Sequence, residues 1–126
     1  MQSNLYLAIH AFLTIIFGIR IVRLRWKHKV SLGHGDKQEL IAATRVFGNH
    51  NEYAPLFLIL LFVLDFQNAS AAFINTLGIA FTIGRISHAY ALTHFVGRSR
   101  YRVIGMVLTF GCLAAQAIAL LLNFRP

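Results

Sequence analysis

Four apolar stretches follow one another along the 126 residues, each close to the length that crosses a bilayer. They are Leu5–Val22, about Leu40 to Leu64, about Ala69 to Leu92, and Val103–Leu122. A spanning helix needs ~20 predominantly apolar residues to cover a hydrocarbon core of about 30 Å. Inside lipid every backbone N–H and C=O must find its partner within the protein, so a lone strand is excluded and each stretch reads as a helix. Composition agrees: the chain is 57% hydrophobic and 13% charged, against roughly 25% charged in an average soluble domain. The sequence predicts an all-α chain, an integral membrane four-helix bundle in which residues 1–126 form one four-span domain.

The connections are unequal. Arg23, Arg25, Lys27, Lys29 and Lys37 lie between the first and second stretches, and Arg98, Arg100 and Arg102 between the third and fourth. Only Asp65-Phe66-Gln67-Asn68 joins the second to the third. The positive-inside rule places both basic loops in the cytoplasm, and an even number of spans then leaves both termini on the non-cytoplasmic side. The formal charge of +8 therefore encodes topology rather than nucleic-acid affinity. The first stretch has no basic residues ahead of it, so it reads as a span and not as a signal peptide. Asn68-Ala69-Ser70 matches a glycosylation sequon but lies hard against the membrane, and reads as a chance match. Two glycines within Ser31–Asp36 make a turn, with Asp36 placed to cap the second helix. The single cysteine, Cys112, excludes an intramolecular disulfide. The six histidines are scattered, with no His/Glu pairing at ligand spacing, so no metal site is expected.

The first stretch is charge-free until Arg20, near its end; three charged side chains interrupt the interior of the others, Arg45 and Glu52 in the second and Arg85 in the third. A charge in hydrocarbon costs roughly 2.5–3.5 kcal/mol on insertion scales, so such groups face a protein interior, a partner charge or a polar ligand. Arg45, Asn49 and Glu52 fall at i, i+4 and i+7, one face of a helix, with Tyr53 beside them. Pro55 has no N–H, which is expected to kink the helix and frees the carbonyl of Asn51. Arg85 and His88 share a face of the third helix at i, i+3, and the two faces are expected to meet at one depth. Two readings follow. Glu52 is a structural counter-ion for Arg85 or Arg45, or the set is completed by an anionic ligand. Two positive charges against one negative leave an arginine without a carboxylate, and Asn49, Asn51, Tyr53 and His88 crowd the same level; both points favour the ligand. Four short helices cannot enclose a large polar cavity, so such a ligand fits better between subunits. His10 reads as a helix-contact residue, Asn75 and Gln116 as interhelical hydrogen-bonders, and Ala80/Gly84 as a small-xxx-small contact. Arg98, Arg100 and Arg102 read as interfacial residues against lipid headgroups.

The run Arg45-Val46-Phe47-Gly48-Asn49-His50-Asn51-Glu52-Tyr53-Ala54-Pro55-Leu56-Phe57 resembles the signature of the MAPEG family, the membrane-associated proteins of eicosanoid and glutathione metabolism. Gly84-Arg85-Ile86-Ser87-His88 is similar to that family's second motif, and the likeness extends over essentially the whole chain. The glycine-rich first loop makes it most like the small bacterial members, which implies an inner-membrane location. The resemblance implies a homotrimer with sites between adjacent subunits near the cytoplasmic face, glutathione as co-substrate, and transfer or peroxidase-like chemistry on hydrophobic electrophiles. By motif match, Arg45 and Asn49 hold the γ-glutamyl carboxylate. Glu52 takes the ammonium, with Tyr53 or His88 assisting. Arg25 of a neighbouring copy meets the glycyl carboxylate, and Arg85 supports Glu52 from behind. Arg102 faces the thiol, whose free pKa of about 8.5 falls next to an arginine. The stretch Thr93–Tyr101 departs from the eukaryotic enzymes, so Arg98 or Arg100 is an alternative to Arg102, and Leu92 stands where some family enzymes carry tyrosine. Two other classes compete: a non-catalytic family member that kept the polar interface, and a small multidrug transporter. The last needs an intramembrane carboxylate free for proton coupling, and Glu52, the one candidate, is crowded by arginines.

Overall fold

The computed structural model describes residues 1–95 and 97–123. Four helices account for nearly all of them: α1 (Ser3–His28), α2 (Gln38–Phe66), α3 (Ala71–His94) and α4 (Arg100–Leu122), with no strand among the described residues. Helices α1, α2 and α4 outrun their apolar stretches, and α3 is as long as its own but shifted two residues toward the C-terminus. At 1.5 Å per residue they span about 35 to 43 Å, enough to cross the hydrocarbon and enter the headgroup layers. The mean hydropathy of α1 and α4 reaches 2.1 in their most apolar windows, and these two are long and apolar enough to cross a membrane. Helices α2 and α3 are diluted by their charged and amide residues, and the packing explains why that is tolerated. They contact each other, and each is also touched by both α1 and α4, whereas α1 and α4 do not meet among the described residues. The polar helices thus form the middle of the bundle and the apolar ones flank it. Phe12, Ile15, Ile16, Ile19 and Val22 of α1 and Val103, Val107, Phe110 and Ile118 of α4 remain exposed. An apolar exterior on that scale suits lipid and not water.

The helix ends explain several sequence features. Ser70 is the N-cap of α3, its Oγ accepting from the Phe73 amide at 3.3 Å, so the serine of the apparent sequon has a structural role. Ser99 caps α4 in the same way, accepting from Tyr101 N. The expected Asp36 cap on α2 is not formed. Lys37 occupies that position with no side-chain cap bond, because Asp36 is in the left-handed region (φ 54°) as part of the turn through Gly33 and Gly35. That loop is held instead by Glu39, which accepts from Lys27 Nζ at 2.9 Å and lies 3.5 Å from His28 Nε2. The Lys27 hydrogen bond holds the Glu39 carboxyl below its ordinary value. At the opposite end, Asp65 Oδ2 accepts from both the amide and the hydroxyl of Ser3, each at 2.7 Å. A carboxylate at the start of α1 also complements the helix dipole, and the Ser3 hydroxyl holds the Asp65 carboxyl below its usual range.

The dry core lies toward the loop 2–3 end. Phe57 and Phe81 stack at 3.7 Å between centroids, almost coplanar at 3°, with Leu61, Leu64, Ile74 and Leu77 around them. Asn75 and Gln116 make the expected interhelical bonds: Tyr6 Oη donates to Asn75 Oδ1 at 2.9 Å, and Gln116 Nε2 to the Phe57 carbonyl at 3.2 Å. Helix α2 continues as helix through Pro55. Of the small pair Ala80/Gly84, Gly84 makes the close contact with α4, facing Gly105. A methyl on Gly105 would stand 2.8 Å from the Gly84 carbonyl and 2.8 Å from His88 Cβ.

This contact gives a test with opposite signs at two glycines of one helix. A methyl at Gly111 meets nothing within 4 Å. Alanine is favoured over glycine in a helix by about 0.8–1.0 kcal/mol, so Gly111→Ala should leave thermal stability in detergent unchanged or raised. Gly105→Ala should lower it by on the order of 1–3 kcal/mol through backbone overpacking. Equal behaviour of the two variants would contradict the α3–α4 packing.

Candidate functional site between α2, α3 and α4

Arg85 is 2% exposed, and the polar layer is built around it. Its Nη1 donates to Asn49 Oδ1 at 2.7 Å and to the Asn49 carbonyl at 3.2 Å, and its Nη2 approaches Met106 Sδ at 3.8 Å. The guanidinium carbon lies 5.5 Å from the Tyr53 ring centre and 5.7 Å from that of Phe81. An amide, a carbonyl and two ring faces therefore hold this cation, with no carboxylate among the described residues in a salt bridge to it; cation–π contacts gain strength where water is excluded. The helical spacing arranges it. Asn49 and Tyr53 are one turn apart on α2, and Tyr53 is braced edge-on by Phe110 of α4, centroids 5.6 Å apart.

The charged members of the α2 motif lie elsewhere on the helix. Arg45 and Glu52 are exposed, and no salt bridge among the described residues involves Arg45, Glu52 or Arg85. The counter-ion reading, with Glu52 paired to Arg85 or Arg45 inside one chain, is not what the fold shows. Arg85 holds Asn49, not Glu52. A periodicity argument put all three polar groups on one face; it could not tell that the face divides, with Asn49 turned inward and Arg45 and Glu52 outward.

His88 is buried and lines a cleft of about 620 Å³ with Arg98, Arg102, Val103, Met106 and Phe110. Ser87 Oγ donates to the Tyr101 carbonyl at 3.0 Å, which ties the start of α4 to α3 and so fixes Arg102 beside the cleft. Arg102 Nη1 donates to the Gly97 carbonyl at 3.1 Å. Arg100 is turned away, its guanidinium 5.8 Å over the Tyr101 ring. Of the three loop arginines, Arg98 and Arg102 thus share a cleft with His88 and Arg100 does not. The cleft is cationic at one end and apolar at the other. Met106 and Phe110 were not singled out from sequence, although their i+4 and i+8 spacing from Arg102 was the available signal. Arg25 sits apart, in a shallow cleft with Trp26 and Lys29, and donates to the Ser31 carbonyl at 3.2 Å.

If Asn49 is the anchor of Arg85, Asn49→Ala should lower the unfolding free energy of the ligand-free protein in detergent by on the order of 1.5–3 kcal/mol, the range for a lost hydrogen bond to a charged group. Arg45→Ala should stay within about 0.5 kcal/mol of wild type, as for exposed positions generally. The reverse order would show that Arg85 is held by some other group.

Comparison with known proteins covers nearly the whole chain. Residues 3–122 match the profile of the MAPEG family. The inner membrane protein YecN of Escherichia coli strain K12 is 33% identical over 119 residues, which is 94% of this chain and 89% of that protein. YecN of E. coli O6:H1 strain CFT073 matches to the same extent. The α2 run around Arg45 to Phe57, the Arg85–His88 pair on α3 and the flanking apolar helices all fall within the matched region, and the chain belongs to the MAPEG family.

Proposed function

We propose that this protein binds glutathione at sites between copies of a homotrimer and uses the bound thiolate against hydrophobic electrophiles, as a transferase or peroxidase-like enzyme. The observation that carries this reading is the exposure of Arg45 and Glu52, opposite charges two turns apart on the surface of a central span, next to the buried Arg85–Asn49 anchor. Hydrocarbon cannot satisfy them. A zwitterionic, dicarboxylate thiol peptide arriving between two chains would.

The chain's own groups divide the work in this reading. Arg85 engages Asn49 Oδ1, which leaves the Asn49 amide N–H groups free to donate to the γ-glutamyl carboxylate alongside Arg45. Arginine suits that task because its planar fork matches a carboxylate bidentately. Glu52 accepts from the ligand ammonium, with Tyr53 and His88 bordering the site. Arg25 comes from a neighbouring copy to the glycyl carboxylate, consistent with its distance from the polar layer of its own chain. Arg102 stabilises the thiolate at the cationic end of the cleft, and the apolar end formed by Met106, Val107 and Phe110 admits the electrophile from the bilayer. In this reading the protein lies in a bacterial inner membrane, as the name of YecN suggests, and the distribution of lysine and arginine favours loops 1–2 and 3–4 in the cytoplasm and both termini outside.

Equilibrium binding of glutathione to the purified protein tests this. Wild type should show the ultraviolet absorption of a thiolate near neutral pH, with the bound thiol titrating at least a unit below the free value of about 8.5. Arg102→Ala should weaken that signal and largely keep binding. Arg45→Ala should weaken binding tenfold to over a hundredfold, corresponding to about 1.5–3 kcal/mol. Binding without a thiolate signal would favour a non-catalytic family member, loss of the signal in Arg98→Ala alone would move the role to Arg98, and no binding would refute the reading.

A further inference from the structure

Two arginines that the proposed site does not use, Arg20 and Arg23, stand at i and i+3 on α1. That spacing puts them on one face of the helix, a turn apart. Counted from Ser3 at 1.5 Å per residue, Arg20 lies about 26 Å along α1. A hydrocarbon core is about 30 Å thick, so the pair stands at its edge on the side of loop 1–2. Arg25 is two residues beyond Arg23 and projects roughly 200° further round the helix. The Arg20–Arg23 face is therefore turned away from the side of α1 that carries Arg25.

Arg20 is fixed in place. Its Nη1 donates to Thr93 Oγ1 at 2.8 Å, near the C-terminal end of α3. Thr93 gives its own hydrogen to the Ala89 carbonyl at 2.9 Å, so toward Arg20 the hydroxyl can only accept. A neutral partner thus orients the guanidinium and leaves its charge uncompensated. Arg23 is exposed, and no salt bridge among the described residues involves either arginine.

Both side chains line one cleft of about 460 Å³, together with Ile16, Ile19 and Leu24. Sites for small molecules run about 300–1,000 Å³. Ile16 and Ile19 are 57% and 47% exposed and lie on the hydrocarbon side of the charges. None of the four acidic residues of the chain lines the cleft. It is cationic at the membrane boundary and apolar below it, the order in which a phosphodiester head sits on an acyl chain.

We propose that this cleft is a binding site for one anionic phospholipid of the leaflet on the loop 1–2 side. Its phosphate is held between Arg20 and Arg23, and the start of an acyl chain lies on Ile19 and Ile16. Guanidinium groups suit the task because their planar forks match phosphate oxygens bidentately. An anionic lipid is favoured over a zwitterionic one, whose ammonium would meet two cations and no carboxylate in the cleft. It is favoured over free phosphate, which would leave the isoleucines uncovered. The site is independent of the glutathione reading, since it uses none of those residues.

The test is native mass spectrometry of the whole protein released from bilayers of equal parts phosphatidylglycerol and phosphatidylcholine. Wild type should retain phosphatidylglycerol in preference to phosphatidylcholine. Arg23→Ala, at an exposed position, should weaken that retention roughly fivefold, the worth of one arginine near an anionic surface. Arg20→Ala combined with it should weaken retention further. Arg100→Ala removes the same charge from the start of α4 and should leave retention unchanged. Equal retention of the two lipids by wild type would overturn the proposal. Equal effects of Arg23→Ala and Arg100→Ala would do the same, since general surface charge would then suffice. Displacement of the lipid by glycerol phosphate at equal concentration would refute the part given to the isoleucines. The wild-type preference and Arg23→Ala decide the matter even if the double variant does not fold.

Discussion

Arg85 sets the terms for the bundle. A cation with almost no exposure cannot remain in a membrane interior without several partners, and no carboxylate among the described residues forms a salt bridge with it. The partners are neutral: both oxygens of Asn49, the sulfur of Met106, and the faces of Tyr53 and Phe81. Those five contacts come from α2, α3 and α4, so the requirement to enclose one guanidinium draws the three helices together. Close approach of α4 at Gly105 makes this possible, because only a residue without a side chain lets its backbone reach Gly84 and His88. The cleft holding His88, Arg98 and Arg102 is the space left beside this knot.

The same constraint explains the order of the helices. Helices α1 and α4 each hold a stretch apolar enough to face lipid across the hydrocarbon, and lie outside. Helices α2 and α3 carry the groups that lipid rejects and lie in the middle, in contact with each other and with both outer helices. The remaining offence against the membrane is the Arg45–Glu52 surface of α2. It is the reason to expect that a single bundle is not the complete assembly.

Much of this was legible in the sequence. The four helices, the central position of charge in the second and third, the interhelical bonds of Asn75 and Gln116, and the close contact at Gly84 all follow from residue type and spacing. Pairing did not follow. Helical period places Arg45, Asn49 and Glu52 on one broad face but does not resolve the few tens of degrees that turn Asn49 inward and the charges outward. Asp36 looked like a cap from its place in the sequence; the left-handed turn it helps to form prevents it. His10 stacks on His50, a residue 40 positions away in the chain, and that contact had no local signal. The choice among Arg98, Arg100 and Arg102 depended on how the chain enters α4, where Ser99 caps the helix and turns Arg100 toward Tyr101.

The central claim is that the exposed charges of α2 complete a site shared between copies. Mixed oligomers test it most directly. Subunits carrying Arg25→Ala and subunits carrying Arg45→Ala should each bind glutathione poorly when alone. Co-expressed and purified together, each mixed trimer should regain one interface that unites an intact Arg25 from one chain with an intact Arg45 from its neighbour, and binding should reappear in proportion. Recovery in the mixture is the result this account requires. Mixed particles that bind no better than either parent would place both arginines in a site within one chain, or outside the site altogether, and would contradict it.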